Sequence, residues 1–215
     1  MFQFLNQIVI YLKILQYQAI LITSLNICEV DNFMNKACFL DRDGVVNEEV
    51  DYLWQPEKVA LIPGVIDALR TLHKHGFLAI VVSNQAGVAR GYYKESDVDE
   101  VNARIQELLV AAGTRIDAFY YCPHHPEFSG ECACRKPEPG MIFDAASEFK
   151  IDLERSFMVG DRLSDLEAAE RAGCQCGYLV RTGYGSEVIR NHHPQNVKIA
   201  DDLKAAVDDY IANNP

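Results

Sequence analysis

Basic residues are too few in this chain to balance the acidic ones. There are 20 Lys and Arg against 31 Asp and Glu, which gives a formal net charge of −11 at pH 7. An acidic surface repels phosphate backbones, and the sequence contains no local basic patch that would offset this repulsion. We therefore expect no nucleic-acid partner. An anionic substrate would have to be held by a few placed cations or by a metal ion.

Regular cysteine spacing is also lacking. The seven cysteines among 215 residues are odd in number and unevenly spaced, unlike those of a secreted disulfide scaffold. The sequence therefore predicts a protein of the reducing cytoplasm. It has no internal repeat and no low-complexity linker, and its 49% hydrophobic and 24% charged residues are typical of a globular protein.

Residues 1–33 differ from the rest of the chain because they are apolar with few charges. Residues 8–27 nearly reach the length of a transmembrane helix, which needs about 20 mostly apolar residues. Lys13 and two glutamines interrupt this run, no Lys or Arg precedes it, and no small-residue cleavage site closes it, which also disfavours a signal peptide. We predict an extension outside the fold over residues 1–33 and a domain over residues 34–215. The alternative is a real membrane anchor.

From Lys36 onward, short apolar runs alternate with amphipathic segments. We predict strands at residues 37–40, 78–82, 118–121, 157–159 and 177–180, and helices at residues 65–75, 96–112, 141–149 and 165–172. A polar loop over residues 186–194, a last strand near Val197 and a helix over residues 203–211 follow. Alternating strands and helices indicate βαβ units, so the predicted fold class is α/β, a Rossmann-like, doubly wound, mainly parallel sheet.

Polar side chains follow the predicted strands at the points where the strands end. Ligands bind at the carboxyl ends of the strands of a parallel α/β sheet, so these side chains are expected to meet. Asp41 and Asp43 follow the first strand, and two carboxylates this close repel unless a cation or a proton lies between them. Alone, the pair would indicate a solvated acidic turn.

Three further groups follow the later strands. They are Ser83, Asn84 and Gln85 after the second strand, Arg135 and Lys136 after the third, and Asp161 and Asp165 after the fourth. Together they supply carboxylates for a hard divalent cation, and donors and cations for a phosphoryl group. Taken singly, they are ordinary turn formers and helix caps.

This order of motifs resembles the haloacid dehalogenase superfamily of phosphotransferases. The pattern is Asp-x-Asp-Gly, then Ser, then Lys before a helix, then Gly-Asp-x-x-x-Asp, and the resemblance covers residues 36–212. It implies a Rossmann-like core and hydrolysis through an aspartyl-phosphate intermediate. A non-enzymatic binding module with the same fold is the alternative, but such a module would be expected to have lost at least one of four residues that are all present: Asp41, Asp43, Lys136 and Asp161.

The resemblance also implies a role for each motif residue. Asp41 would be the nucleophile and Asp43 the general acid and base. Ser83 and Lys136 would stabilise the phosphoryl group. Mg²⁺ would be held by Asp41, the backbone carbonyl of Asp43, and Asp161. The expected activity is that of a magnesium-dependent phosphoric monoester hydrolase.

A second metal site is predicted just before Arg135. Its ligands would be Cys122, His124, Cys132 and Cys134. Three thiolates and one imidazole are enough for a closed tetrahedral structural zinc site. His124 fits better than His125 because it continues the alternate-residue spacing from the first cysteine; free thiols beside a surface histidine are the alternative. Because the loop leads directly into Arg135 and Lys136, we expect zinc to rigidify the segment that presents these cations.

Within the superfamily, the loop that carries these four residues (residues 122–134, here called the metal loop) resembles that of the heptose 1,7-bisphosphate phosphatases. So do Asp51-Tyr52, residues 56–59 and 62–65, and residues 84–91. The implied substrate contacts are Glu49, Val50, Asp51, Tyr52, Asn84, Gln85, Ala86 and Arg135. The implied reaction removes the C7 phosphate in the biosynthesis of nucleotide-activated heptose for lipopolysaccharide or surface glycans, with Arg135 contacting the retained C1 phosphate. The related histidinol-phosphate phosphatases are the alternative.

The spacing of the motifs limits the size of any accessory domain. Asp41 and Ser83 are 42 residues apart and Ser83 and Lys136 are 53 apart, so neither gap has room for a large cap domain. Loops must then select the substrate, which suits a compact sugar phosphate. We expect a monomer in the cytoplasm, with no membrane contact unless residues 1–33 are an anchor.

Overall fold

A parallel sheet organises the part of the chain that the computed structural model describes, residues 34–194 and 197–214. The predicted extension at residues 1–33 lies outside this part. Within it, six strands pair in the order β3-β2-β1-β4-β5-β6, all of them parallel. They are β1 (Lys36–Leu40), β2 (Phe77–Asn84), β3 (Ala118–Cys122), β4 (Phe157–Gly160), β5 (Cys176–Val180) and β6 (Lys198–Ala200). The order reverses between β1 and β4, which is where doubly wound sheets bind ligands.

Helices connect the strands. In the described residues they are α1 (Val65–Lys74), α2 (Glu95–Ala111), α3 (Pro126–Ser129), α4 (Gly140–Phe149), α5 (Leu163–Ala172), α6 (Gly185–His192) and α7 (Leu203–Asn213), with 3₁₀ turns at Pro56–Lys58 and Leu153–Arg155. No connection between these strands is large enough to form a cap domain, as predicted. None of these helices is long and apolar enough to cross a membrane.

The core lies on both faces of the sheet. On β1, Cys38 and Leu40 pack into the layer that contains α1, α2 and α7, whereas Ala37 and Phe39 pack into the layer that contains α4 and α5. All four side chains are fully buried. A strand that is covered on both faces is apolar at every position, so these strands could be predicted from short continuous apolar runs in the sequence.

The predicted elements agree with the structure to within about two residues at each end, apart from one segment. β2 continues through Ser83 and Asn84 instead of ending at Val82, because both residues pair with β3. The prediction of a loop over residues 186–194 is wrong, since α6 occupies most of this segment. Val188 and Ile189 are partly buried there, but two apolar residues among polar ones are too short a pattern to indicate a helix.

Candidate active site

The carboxyl ends of β1, β2 and β4 surround a cavity of about 430 Å³. β1 lies between the other two strands, so side chains that are distant in sequence meet at one edge of the sheet. The predicted catalytic and substrate-contacting residues all line this cavity: Asp41, Asp43, Glu49, Val50, Asp51, Tyr52, Ser83, Asn84, Gln85, Ala86, Arg135 and Lys136. Side chains that follow different strands in the sequence therefore line one cavity.

Lys136 lies among the carboxylates at the base of the cavity and is only 4% exposed. Its Nζ lies 3.0 Å from Asp41 Oδ1 and 2.7 Å from Asp165 Oδ1, and it donates to the backbone oxygen of Val82 at 2.6 Å. The ammonium group is therefore surrounded by two carboxylates and one backbone carbonyl. Burial lowers the pKa of Lys136, but the two aspartates raise it by more, so the ammonium group keeps its charge.

Asn84 fixes the backbone that carries Lys136. Its Nδ2 donates to the Lys136 carbonyl at 3.0 Å, and its Oδ1 accepts from the Lys136 N–H at 3.0 Å. Each end of the amide therefore binds the same residue. Asn84 joins the end of β2 to the segment that holds the lysine.

Three buried carboxylates face one another beside Lys136. Oxygen atoms of Asp41, Asp161 and Asp165 lie within 4.8 Å of one another. Burial and the neighbouring carboxylates raise the pKa of Asp41 to about 6, against the opposing effect of Lys136, and raise the pKa of Asp161 to about 8. Such a cluster is destabilising unless protons or a cation offset the charge.

The hydrogen bonding of the Asp161 carboxylate shows whether a metal ion fits this cluster. Its Oδ2 accepts the N–H of Tyr184 at 2.8 Å, but its buried Oδ1 has no hydrogen-bond partner among the described residues. A buried, unpartnered carboxylate oxygen is costly on its own and is a good ligand for a hard cation. The residues present therefore fit Mg²⁺.

Asp165 ends the Gly-Asp-x-x-x-Asp motif, but the sequence assigned it no role of its own. It is fully buried and has two tasks. One carboxylate oxygen accepts the N–H of Arg162 at 3.0 Å and so caps the start of α5, and the other pairs with Lys136. The sequence alone does not separate a helix cap from a site residue, and here the same side chain is both.

Two glycines let the backbone approach Asp161. Gly44 and Gly183 have φ values of +80° and +55°, and a Cβ at either position would lie 2.4 or 2.2 Å from Asp161 Oδ2. Thr182 Oγ1 donates to the Gly44 carbonyl at 2.6 Å, which ties the loop after β5 to the loop after β1. This contribution of the β5 loop has no signal in the sequence.

Asp43 is only two residues from Asp41, but its carboxylate lies in a different environment. It accepts hydrogen bonds from Arg42, Asn47 and Gln85. Gln85 also donates to Ser83 Oγ at 2.8 Å. Because the Ser83 hydroxyl accepts this bond, its own proton remains available to donate to an anion.

One wall of the cavity combines an acidic loop with aromatic and basic side chains. Burial raises the pKa of Glu49 to about 7, with Asp43 adding to the effect. Tyr184 donates from its hydroxyl to Asp51 Oδ1 at 2.9 Å, and the guanidinium of Arg162 lies 4.0 Å from the centre of the Tyr184 ring. Further residues that line the cavity, to which the sequence assigned no role, are Leu53, Arg90, Tyr93, His125, Arg162, Ser164, Asp165 and Tyr184.

The predicted zinc ligands form a second cluster. The ligand atoms of Cys122, His124, Cys132 and Cys134 lie within 4.8 Å of one another. The Cys122 and Cys132 sulfurs are 3.5 Å apart, and His124 Nδ1 lies 3.4 Å from the Cys134 sulfur. Three thiol sulfurs and one imidazole around a common centre fit zinc.

The metal loop also holds two arginines of the cavity. Arg135 Nη1 donates to the His124 carbonyl at 3.2 Å. His125 lies outside the cluster: its ring accepts the N–H of Glu127 at the start of α3 and lies 3.2 Å from Arg90 Nη2. The loop thus positions Arg135 and Arg90 on one side of the cavity.

Comparisons with known proteins agree with this geometry. A family described as HAD-hydrolase-like matches residues 133–206. D-glycero-D-manno-heptose-1,7-bisphosphate 7-phosphatase of Thermosynechococcus vestitus is 45% identical over 184 residues, which cover 80% of this chain and 93% of the relative. The corresponding beta-anomer phosphatase of Haemophilus influenzae is 45% identical over 154 residues, which cover 70% and 84%.

A solved structure gives the same result. The crystal structure of D,D-heptose 1,7-bisphosphate phosphatase from B. bronchiseptica, complexed with magnesium and phosphate, aligns with a TM-score of 0.75 and 34% identity over 83% of this chain and 99% of that one. A divalent metal is implied for this superfamily, in agreement with the aspartate cluster. The chain belongs to the D-glycero-D-manno-heptose-1,7-bisphosphate 7-phosphatase family of the haloacid dehalogenase superfamily.

Proposed function

We propose that this protein removes the C7 phosphate of D-glycero-D-manno-heptose 1,7-bisphosphate and releases heptose 1-phosphate, a precursor of nucleotide-activated heptose. The observation that carries the proposal is the convergence of Asp41, Asp43, Ser83 and Lys136 on one cavity in a member of this family. Histidinol phosphate, the alternative substrate, is not favoured, because the relatives compared above are heptose phosphatases.

Asp41 is the nucleophile in this proposal. Lys136 Nζ and the N–H of Arg42 both bind its Oδ1, at 3.0 and 2.8 Å, which fixes the direction of the carboxylate. Attack on phosphorus forms an aspartyl-phosphate and replaces one difficult hydrolysis with two easier steps. When bound by Asp41, the Asp43 carbonyl and Asp161, Mg²⁺ supplies positive charge that offsets the repulsion between the carboxylate and the phosphate.

Ser83 and Lys136 stabilise the phosphoryl group. The Ser83 hydroxyl accepts from Gln85 and keeps its proton for a phosphoryl oxygen. The ammonium of Lys136 is already oriented by its buried acceptors, so little reorganisation is needed when charge develops in the transition state.

Asp43 is the general acid and base. In the first step it gives a proton to the departing sugar oxygen as the P–O bond breaks. In the second step the resulting carboxylate takes a proton from the water that attacks the aspartyl-phosphate. Its bonds to Asn47 and Gln85 hold it at the wall of the cavity, beside Ser83.

The rest of the cavity selects the sugar bisphosphate. Glu49, Val50, Asp51 and Tyr52 form one loop of the lining, and Asn84, Gln85 and Ala86 form another. Carboxylate and amide groups suit sugar hydroxyls. Arg135 contacts the retained C1 phosphate, for which a guanidinium offers two parallel donors.

Cys122, His124, Cys132 and Cys134 hold the structural zinc of the proposal. When bound, zinc ties the two halves of the loop before Arg135 together. The hydrogen bond from the Arg135 guanidinium to the His124 carbonyl passes this rigidity to the arginine. The proposed setting is the cytoplasm, with the protein acting as a monomer on a small sugar phosphate. Cell fractionation tests the cytoplasmic setting, and light scattering of the purified chain tests the monomeric state.

A phosphate-release assay tests the function directly. The purified protein is given, with Mg²⁺, each anomer of heptose 1,7-bisphosphate and, separately, histidinol phosphate. We expect rapid release of one phosphate per bisphosphate molecule and much slower turnover of histidinol phosphate. Faster turnover of histidinol phosphate would overturn the substrate assignment, and the ratio between the anomers identifies the downstream pathway.

A further inference from the structure

Donors occupy all sides of the Asp43 carboxylate. Oδ1 accepts from Arg42 Nε at 3.2 Å and from Asn47 Nδ2 at 2.9 Å. Oδ2 accepts from Arg42 Nη2 at 3.0 Å and from Gln85 Nε2 at 3.0 Å. A carboxylate has about four acceptor positions, so one of these bonds must give way when Asp43 carries a proton or binds the attacking water.

Arg42 differs from the other two donors because it binds both oxygens at once. The parallel bonds from Nε and Nη2 fix the plane of the carboxylate. Asn47 and Gln85 each bind only one oxygen, so neither of them alone fixes the plane. A lysine at position 42 would keep the charge but lose this fork.

The guanidinium of Arg42 is itself held rigidly. Arg42 is 1% exposed. Its Nη1 donates to Asn102 Oδ1 on α2 at 3.2 Å, and Nη2 also lies 3.5 Å from the Leu53 carbonyl. Burying a guanidinium is costly unless it is paired and hydrogen-bonded. Within the described residues, the side-chain hydrogen bonds of Arg42 go to Asp43, Asn102 and Leu53. None of them goes to the cluster of Asp41, Asp161 and Asp165.

We propose that Arg42 is a positioning residue that holds the Asp43 carboxylate in the orientation needed for proton transfer, and that Asn102 braces it. The inference rests on the proposed function, in which Asp43 protonates the leaving oxygen and then deprotonates water. Arg42 is buried and does not line the cavity, so it would act through Asp43 and not by touching the substrate. Its loss should slow both proton transfers, and with the first of them the departure of a sugar oxygen, while substrate binding is retained and attack on a phosphate ester whose leaving group needs no proton continues.

Leaving groups separate this role from a general structural one. A sugar oxygen must be protonated as it leaves, but the phenolate of p-nitrophenyl phosphate leaves without a proton. For Arg42→Lys we expect kcat on heptose bisphosphate to fall about 10- to 100-fold, the range for a displaced general acid, with KM little changed. In rapid-quench experiments with p-nitrophenyl phosphate, the first turnover should stay within a few-fold of the wild-type rate. Later turnovers should be slow, because the aspartyl-phosphate then waits for Asp43 to act as a base.

Asn102→Ala gives a second test that leaves all four bonds to Asp43 in place. We expect the same pattern with a smaller loss. Arg104→Lys is the matched control, since Arg104 lies on the same helix and pairs with Glu107 on the surface. This control should retain wild-type rates on both substrates. Circular dichroism and thermal melting establish that each variant is folded.

Equal losses in the first turnover of both substrates, or an unchanged kcat on heptose bisphosphate, would overturn the role of Arg42. If Arg42→Lys does not fold, Asn102→Ala decides by the same criterion. Asp43→Asn separates the two hypotheses. If it is as active as wild type, the proposed chemistry fails; if it is impaired while neither Arg42→Lys nor Asn102→Ala shows the selective loss, only the positioning role fails.

Discussion

Gly44 lies so close to Asp161 that a Cβ at position 44 would come within 2.4 Å of Asp161 Oδ2. The loop after β1 thus approaches the buried carboxylate of the β4 motif with no side chain between them. The same glycine has a φ of +80°, a left-handed conformation that other residues adopt at a cost. The lack of a Cβ at position 44 therefore permits both the left-handed turn and the close approach to the proposed metal ligand Asp161.

Gly44→Ala should displace Asp161 and weaken Mg²⁺ binding by about 10-fold or more, the range seen when the supports of a metal ligand are changed. Isothermal titration with Mg²⁺ measures this. Gly76→Ala is the matched control, because Gly76 has a similar φ of +75° but no atom lies within 4 Å of the place that a Cβ would occupy there. Both variants should lose about 1–2 kcal/mol of stability from backbone strain. Equal Mg²⁺ affinity in the two variants would contradict the prediction.

Asp41→Asn should lower turnover by a factor on the order of 10³ or more, because an amide is a poor nucleophile. The fold should survive, since the amide oxygen can still accept from the Arg42 N–H and from Lys136. Steady-state phosphate release and a thermal melt check the two halves of this prediction. A variant that keeps wild-type turnover would exclude the aspartyl-phosphate mechanism.

Stability without magnesium should fall as the pH rises from 6 to above 8. The pKa of Asp41 is raised to about 6 and that of Asp161 to about 8, chiefly by burial, so the folded chain holds protons that the unfolded chain has already lost. This stabilisation is complete below about pH 4, where the unfolded carboxyls are protonated too. As the pH rises it falls by up to about 1.4 kcal/mol per pH unit for each proton, until the pH has passed about 6 for Asp41 and about 8 for Asp161, so that above pH 6 the change comes mainly from Asp161.

Thermal melts at pH 6 and pH 8.5, after dialysis against magnesium-free buffer, measure the effect. Added Mg²⁺ should stabilise the protein more at pH 8.5, because the cation competes with protons for the same carboxylates. Asp161→Asn should reduce the pH dependence. Stabilisation by Mg²⁺ that is the same at both pH values would contradict the prediction.

Cys132→Ser should remove bound zinc and reduce activity about 10-fold or more, mainly through a higher KM, because the loop orients Arg135 and Lys136. Elemental analysis of the purified protein gives the zinc content. Cys174→Ser, at a cysteine outside the cluster, is the control and should keep both zinc and activity. Wild-type KM in a zinc-free Cys132→Ser protein would show that the loop does not act through these cations.

Local patterns were enough to predict the sheet, most helices and which polar residues follow the strands. Strands buried on both faces must be apolar throughout, so β1 and β4 are visible as short runs followed by aspartates. The four soft ligands of the metal loop lie within thirteen residues, so their spacing alone indicates a shared site. α6 was missed because its apolar pattern is too short.

The pairing of side chains could not be predicted in this way, because it depends on strand order and on where each loop lies. Asp41 and Asp43 are equivalent in the motif, but β4 brings Asp161 and Asp165 to the first, whereas Arg42 and the end of β2 surround the second. Asp165 belongs to the site because Lys136, from another part of the chain, lies 2.7 Å from it, and the sequence does not show this contact. The residue types at the site follow from the local sequence, and their partners follow from contacts between distant segments, which local periodicity does not encode.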